Sequence, residues 1–173
     1  MEGKAVRLRS VALDQVMTRW EWFQDPQFSR LYLGHGFPPL AYKAVEDEVL
    51  AAMESGALKG YFEVAVETTG DKRYVGNAFL RKLSLQDRSA ELGVFFGPAH
   101  WDKGWGTDAV RLLTAYGFDE LGLHRIWLTV FDFNPRARAC FEKCGFVREG
   151  VLRDAVFSAG RFHDVHLMAL LGG

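Results

Sequence analysis

Cys140 and Cys144 are the only two cysteines in 173 residues. One helical turn apart, they make neither a disulfide framework nor a four-ligand zinc pattern, so a reduced, cytoplasmic compartment is expected. Long apolar runs are also missing. No stretch suffices to cross a bilayer, and Met1 to Ser10 holds no apolar signal core, so no membrane partner is expected. A basic excess is lacking as well: 21 Lys and Arg stand against 22 Asp and Glu, a net charge of −1 that argues against nucleic acid. Arg136, Arg138, Lys143 and Arg148 do cluster, and read as the solvated face of a helix. There is no G-K-[ST] phosphate loop, internal repeat, low-complexity tract or linker, so residues 1–173 read as one domain. His163 and His166 would face opposite ways in a strand, and His35, His100 and His124 are isolated. No metal is expected.

What is present is alternation and punctuation. Val6 to Val11 reads as a first strand, Asp14 to Phe23 as a helix stopped by Asp25-Pro26, and Phe28 to Leu40 as irregular. A helix over Ala41 to Met53 precedes three strands, Gly60–Glu67, Arg73–Leu83 and Ser89–Phe96. Gly106 to Leu121 is an amphipathic helix, and His124 to Phe131 is an apolar strand. Asn134-Pro135 then opens a helix that Gly145 closes, with Ala137, Cys140, Phe141 and Cys144 on one stripe. Two last strands, Phe146–Phe157 and Phe162–Leu171, complete a mixed α/β pattern.

The most informative segment is Trp101 to Ala109, where two glycines one residue apart lead a loop into a helix. Glycine lets a ligand approach the backbone, and the free N–H groups and dipole of a helix start attract phosphate. Gly104-x-Gly106-x-x-Ala109 nominally fits a dinucleotide fingerprint. That fingerprint needs its first glycine directly after a strand, whereas seven residues, Gly97 to Lys103, intervene here.

A different family fits the context. Glu91-Leu-Gly-Val-Phe-Phe96 followed by Trp101-Asp-Lys-Gly-Trp-Gly-Thr107 resembles the acetyl-CoA-binding motif of the GNAT N-acetyltransferases. Leu121 to Ile126, Asn134 and Phe141 to Phe146 resemble that family's next motif. Glu149 to Arg153 and Gly160 to Val165 resemble its ribosomal-protein N-terminal acetyltransferase (RimJ/RimL-like) branch. The resemblance implies a mostly antiparallel sheet of about seven strands, splayed between the fourth and fifth and flanked by helices. It implies acetyl-CoA as cosubstrate, its arm held by the backbone of Val94, Phe95 and Phe96 as an added strand would be. The N–H groups of Lys103, Gly104, Trp105, Gly106 and Thr107 would take the pyrophosphate, and the Asn134 side chain would contact the arm.

The resemblance also exposes gaps. Trp101 stands where the family usually has arginine or glutamine, with Lys103 as a partial substitute. Phe141 and Ala137 replace two residues used as acids. Cys140 could stand in as acid or acetyl-enzyme, but its place on the apolar stripe makes an inert core thiol the expected state. Glu91 is the expected general base, acting through water, against the alternative of a structural carboxylate paired with a basic residue. Asp164 and Asp154 come second. The aromatic Trp20, Trp22, Phe23, Phe28, Tyr32, Phe37 and Tyr42 would build the acceptor wall, with Gly34 to Leu40 as its rim. Glu46, Asp47 and Glu48 could attract a cationic acceptor or simply solvate a helix. The expected partner is an amine: a protein N-terminus first, a small amine such as an aminoglycoside, polyamine or amino-sugar second. A non-catalytic acyl-CoA-binding module, and a homodimer through strand edges, remain open.

Overall fold

The computed structural model describes residues 1–36, 38–56 and 59–173. Its strands are β1 (Val6–Ser10), β2 (Tyr61–Thr68), β3 (Tyr74–Ser84), β4 (Ser89–Phe96), β5 (Arg125–Phe131), β6 (Val147–Ser158) and β7 (Arg161–Leu171). The helices are α1 (Val16–Phe23), α2 (Pro26–Leu33), α3 (Tyr42–Met53), α4 (Trp105–Asp119) and α5 (Pro135–Lys143). One sheet takes the order β1-β2-β3-β4-β5-β7-β6. Every neighbouring pair is antiparallel except β4 and β5.

That parallel pair is short. Ser89, Ala90 and Glu91 register with Arg125, Ile126 and Trp127, and pairing stops there. β4 stays paired to β3 as far as Phe96, while β5 stays paired to β7 as far as Phe131. The two halves of the sheet therefore diverge, leaving Leu92 to Phe96 with an edge that β5 does not cover. The expected splay is present.

Strand alternation sends side chains to two helical layers. On one face Ala90, Leu92 and Phe96 pack with Ala109, Val110 and Leu113 of α4 and with Phe141 of α5. On the other, Phe95 and Phe79 pack beneath Phe23, Phe28 and Val45. Gly93 stands opposite Phe79 in the ladder, where any Cβ would clash with the Phe79 ring.

The stretch expected to be irregular from Phe28 holds a helix instead. Asp25 caps it, its carboxylate accepting from the N–H groups of Gln27 (2.8 Å) and Phe28 (3.4 Å), with Pro26 at the first position. Asp25-Pro26 thus both ends α1 and starts α2. Phe37, expected on the rim, lies outside the described residues. Asp108, in the first turn of α4, accepts from the N–H groups of Ala5 (2.7 Å) and Val6 (3.1 Å), tying that turn to β1. At the far edge, β6 exposes Val147, Leu152 and Phe157. Among the described residues no helix is long and apolar enough to cross a membrane.

Candidate active site

The gap between β4 and β5 opens into a cavity of about 420 Å³. Its floor is Val94, Phe95 and Phe96; Phe28, Leu31 and Tyr32 of α2 form one wall. The loop from His100 to Thr107 and the α5 side chains from Asn134 to Lys143 form the other. The structure thus brings Val94, Phe95, Phe96, Lys103, Gly104, Trp105, Gly106, Thr107 and Asn134 around one space. Glu91 is not among its lining residues.

The loop is shaped for close backbone approach. Gly104 precedes α4 with φ +76, in the left-handed region where a side chain is strained, and no side chain caps the helix. The first intrahelical bond runs from Asp108 N–H to Gly104 O (3.2 Å), so the N–H groups of Trp105, Gly106 and Thr107 precede the ladder. These orphan donors, with the helix dipole, suit an anion. Trp101 fixes the loop's start, its indole N–H donating to Phe96 O at 2.7 Å.

Asn134 caps α5, its side-chain oxygen accepting from Ala137 N–H (3.2 Å), while its Nδ2 reaches Leu31 O only at 3.5 Å. The carboxamide nitrogen is the part of this side chain held most weakly by the protein.

Two expectations need correction, those for Cys140 and for the helix face carrying Arg136 and Lys143, and Glu91 sits among ion pairs. Glu91 is buried and ion-paired to Arg81 (2.7 Å) and Lys82 (2.9 Å). Burial pushes its carboxyl up, but hydrogen bonds and charges from Arg81 and Lys82 outweigh it and hold it below the ordinary carboxylate value. These ion pairs are the setting expected of the structural alternative, and its strand position lies inside the paired part of β4. Cys140 is half-buried and lines the cavity, since the apolar stripe of α5 faces the splay as well as the core. Arg136 and Lys143 are not merely a solvated helix face; both line the cavity too.

The thiols converge on Thr107. Its hydroxyl lies 3.4 Å from Cys140 Sγ, and the Cys144 thiol donates to its carbonyl at 3.6 Å. The Cys144 hydrogen bond lowers the Cys140 thiol against the effect of burial, and the Thr107 hydroxyl, Lys143 and Arg111 help bring it to about 7. The Cys144 thiol is correspondingly pushed up. His100 is held below its usual value by burial and by Lys103 and Arg73, so it is neutral near pH 7. Burial keeps the Tyr32 hydroxyl protonated.

Residues around the cavity that sequence reasoning did not assign to it include Leu31, His100 and Asp102. The unrecognised helix hid Leu31. Asp102 is the cavity's only carboxylate among the described lining residues, and its side chain is 75% exposed. Asp164 caps a bulge instead, accepting from Asp154 N–H at 2.9 Å. Of the acidic trio on α3, Glu46 and Asp47 pair with Lys43, and Glu48 pairs with buried Arg19. Among the described residues no cluster of three or more His, Cys, Asp or Glu could hold a metal ion.

The profile of the acetyltransferase (GNAT) domain matches residues 5–147. Spermidine N(1)-acetyltransferase of Vibrio cholerae serotype O1 is 37% identical over 100 residues, covering 58% of this chain and 58% of that relative. The chain therefore spans under two thirds of that relative's length. An uncharacterised N-acetyltransferase, p20 of Bacillus licheniformis, is 27% identical over 167 residues, covering 95% and 91% of the two chains. A crystal structure of spermidine N-acetyltransferase from Vibrio cholerae with CoA and spermine superposes with a TM-score of 0.84 at 26% identity. It covers 96% of this chain and 95% of that one.

Proposed function

The chain belongs to the GNAT acetyltransferase family, and on that premise we propose that it moves an acetyl group from acetyl-CoA to the primary amine of a small molecule. The observation that carries this reading is the cavity at the β4–β5 splay, bounded by an uncapped helix start. The likeness to polyamine acetyltransferases supports a small amine over the protein N-terminus that the RimJ/RimL-like resemblance would favour.

In this reading the orphan N–H groups of Trp105 to Thr107 hold the pyrophosphate, and the uncovered edge of β4 takes the amide-bearing arm as a strand. Main-chain N–H groups at Val94 to Phe96 polarise the thioester carbonyl, and Asn134 Nδ2 is free to turn from Leu31 toward the arm. The amine attacks directly. Phe141 and Ala137 supply no acid, but a thiol of pKa roughly 8.5 departs as thiolate near neutral pH. Among the described lining residues there is no buried carboxylate, so the amine's proton passes to solvent and the rate follows the free-base fraction of the acceptor.

The test is thiol release from acetyl-CoA with spermidine, spermine and a peptide bearing a free N-terminus. The reading expects kcat/KM at least tenfold higher for a polyamine than for the peptide. A preference for the peptide returns the acceptor to a protein N-terminus. Cofactor binding without thiol release from any amine leaves the non-catalytic module.

A further inference from the structure

We propose that Arg136, whose guanidinium lies over the Trp101 ring, is a phosphate-binding residue of the cofactor cavity. The inference rests on the reading that the cavity takes acetyl-CoA, and adds a residue to it. The segment from Trp101 to Trp105 has an indole at each end, and each indole holds a cation. The Arg136 guanidinium lies 3.8 Å from the Trp101 ring centre, and Lys103 Nζ lies 4.9 Å from that of Trp105.

Helix stability does not explain either cation. Arg136 is the second residue of α5 and Lys103 sits just before α4, both beside the positive end of a helix dipole, where a cation is unfavourable. Lys143 lines the same space. The opposing charge there is Asp102, exposed and 3.7 Å from the Arg136 guanidinium. Two helix starts and three cations around one cavity leave a positive field that a multiply charged anion would satisfy.

Stacking determines how Arg136 serves. Trp101 is itself pinned to Phe96 O, so it is a fixed platform. A guanidinium held over that ring at 3.8 Å has planar N–H donors to offer the oxygens of a phosphate, with less rotamer freedom to lose than a solvated arginine. The shared ligand chemistry is a phosphate ester, and coenzyme A carries it both as pyrophosphate and as 3′-phosphate.

The experiment compares wild type, Arg136→Ala and Arg136→Lys. Calorimetry gives Kd for acetyl-CoA and 3′-dephospho-acetyl-CoA, and thiol release gives KM for S-acetylpantetheine, which has no phosphate. Arg136→Ala is expected to weaken acetyl-CoA tenfold or more and leave S-acetylpantetheine within twofold. Arg136→Lys should recover only part, because an ammonium lacks the planar fork. Loss of the effect with the 3′-dephospho analogue assigns the contact to the 3′-phosphate; its persistence assigns the pyrophosphate. Thermal unfolding separates this from a structural role: ligand-free Arg136→Ala should melt no lower than wild type, while its upward shift on adding acetyl-CoA shrinks. An unchanged acetyl-CoA Kd, or an equal loss with S-acetylpantetheine, overturns the inference alone. Failure of wild type to bind acetyl-CoA overturns the reading of the cavity as well.

Discussion

Glu91 and Trp127 are the last residues that register β4 with β5; beyond them the strands part and the cavity begins. Glu91 marks the closed end of the gap and is anchored there by Arg81 and Lys82. Lys82 also lies over the Trp127 ring at 5.1 Å, so one cation links both members of the pair.

Glu91→Gln should therefore act on stability more than on chemistry. The pH–rate profile of the variant should keep its shape, with kcat/KM rising toward the acceptor's pKa as in wild type. Its folded-state pKa is lowered, so the carboxylate's contribution is present above the unfolded value, near 4.3, and lost as pH falls through the folded value. Because Arg81 and Lys82 are half-exposed, the cost at pH 7 is about 1 kcal/mol, or about 3 °C in Tm. The difference should shrink as pH falls through the folded value. A lost inflection in the rate profile would instead identify Glu91 as the base.

Gly104→Ala tests the loop backbone. Nothing lies within 4 Å of the added Cβ, so the cost is that of placing a side chain at φ +76, about 1 kcal/mol. If the loop relaxes to relieve it, KM for acetyl-CoA should rise severalfold with little change in kcat. Steady-state kinetics over a range of acetyl-CoA decides this.

Cys140 should be an accessible thiol rather than an inert core residue. With its pKa brought to about 7, the rate of iodoacetamide alkylation should rise with pH through a midpoint near 7, and acetyl-CoA should protect it. Cys140→Ala should keep most turnover, because no transfer step is assigned to the sulfur. Mass spectrometry of the alkylated peptide reads the first outcome and thiol release the second.

A buried network supports the cavity floor. Arg19 bonds Glu63 (2.9 Å) and lies 4.8 Å from the Phe95 ring centre, while Asn77 donates to Glu63 at 2.8 Å. Glu63→Ala leaves Arg19 without its buried partner and should cost about 3 kcal/mol, lowering Tm by roughly 9 °C. Loss of order at Phe95 should raise KM for acetyl-CoA. Differential scanning calorimetry and kinetics on the same sample measure both.

The second half of the chain was the more legible in sequence because its signals are local. Glycine punctuation, the Asn134-Pro135 start and period-two alternation each lie within a few residues, and the β4–α4 segment forms as expected. Asp25-Pro26 shows how a local signal can be read one way only: the pair stops one helix and caps the next. Charge partners were the illegible part. That Glu91 meets Arg81 and Lys82, or that Arg136 lies on Trp101, depends on strand register and on how α5 crosses the loop. Neither is written in spacing along the chain. The setting of Cys140 is illegible for a related reason: an apolar helical stripe looks the same whether it faces a closed core or a gap between strands.

The most direct test of the account is a crystal structure grown with coenzyme A. Pyrophosphate density is expected against the N–H groups of Trp105 to Thr107, with the arm laid along β4 from Leu92 to Phe96. Density seated elsewhere, or a gap between β4 and β5 filled by the protein's own side chains, would contradict it.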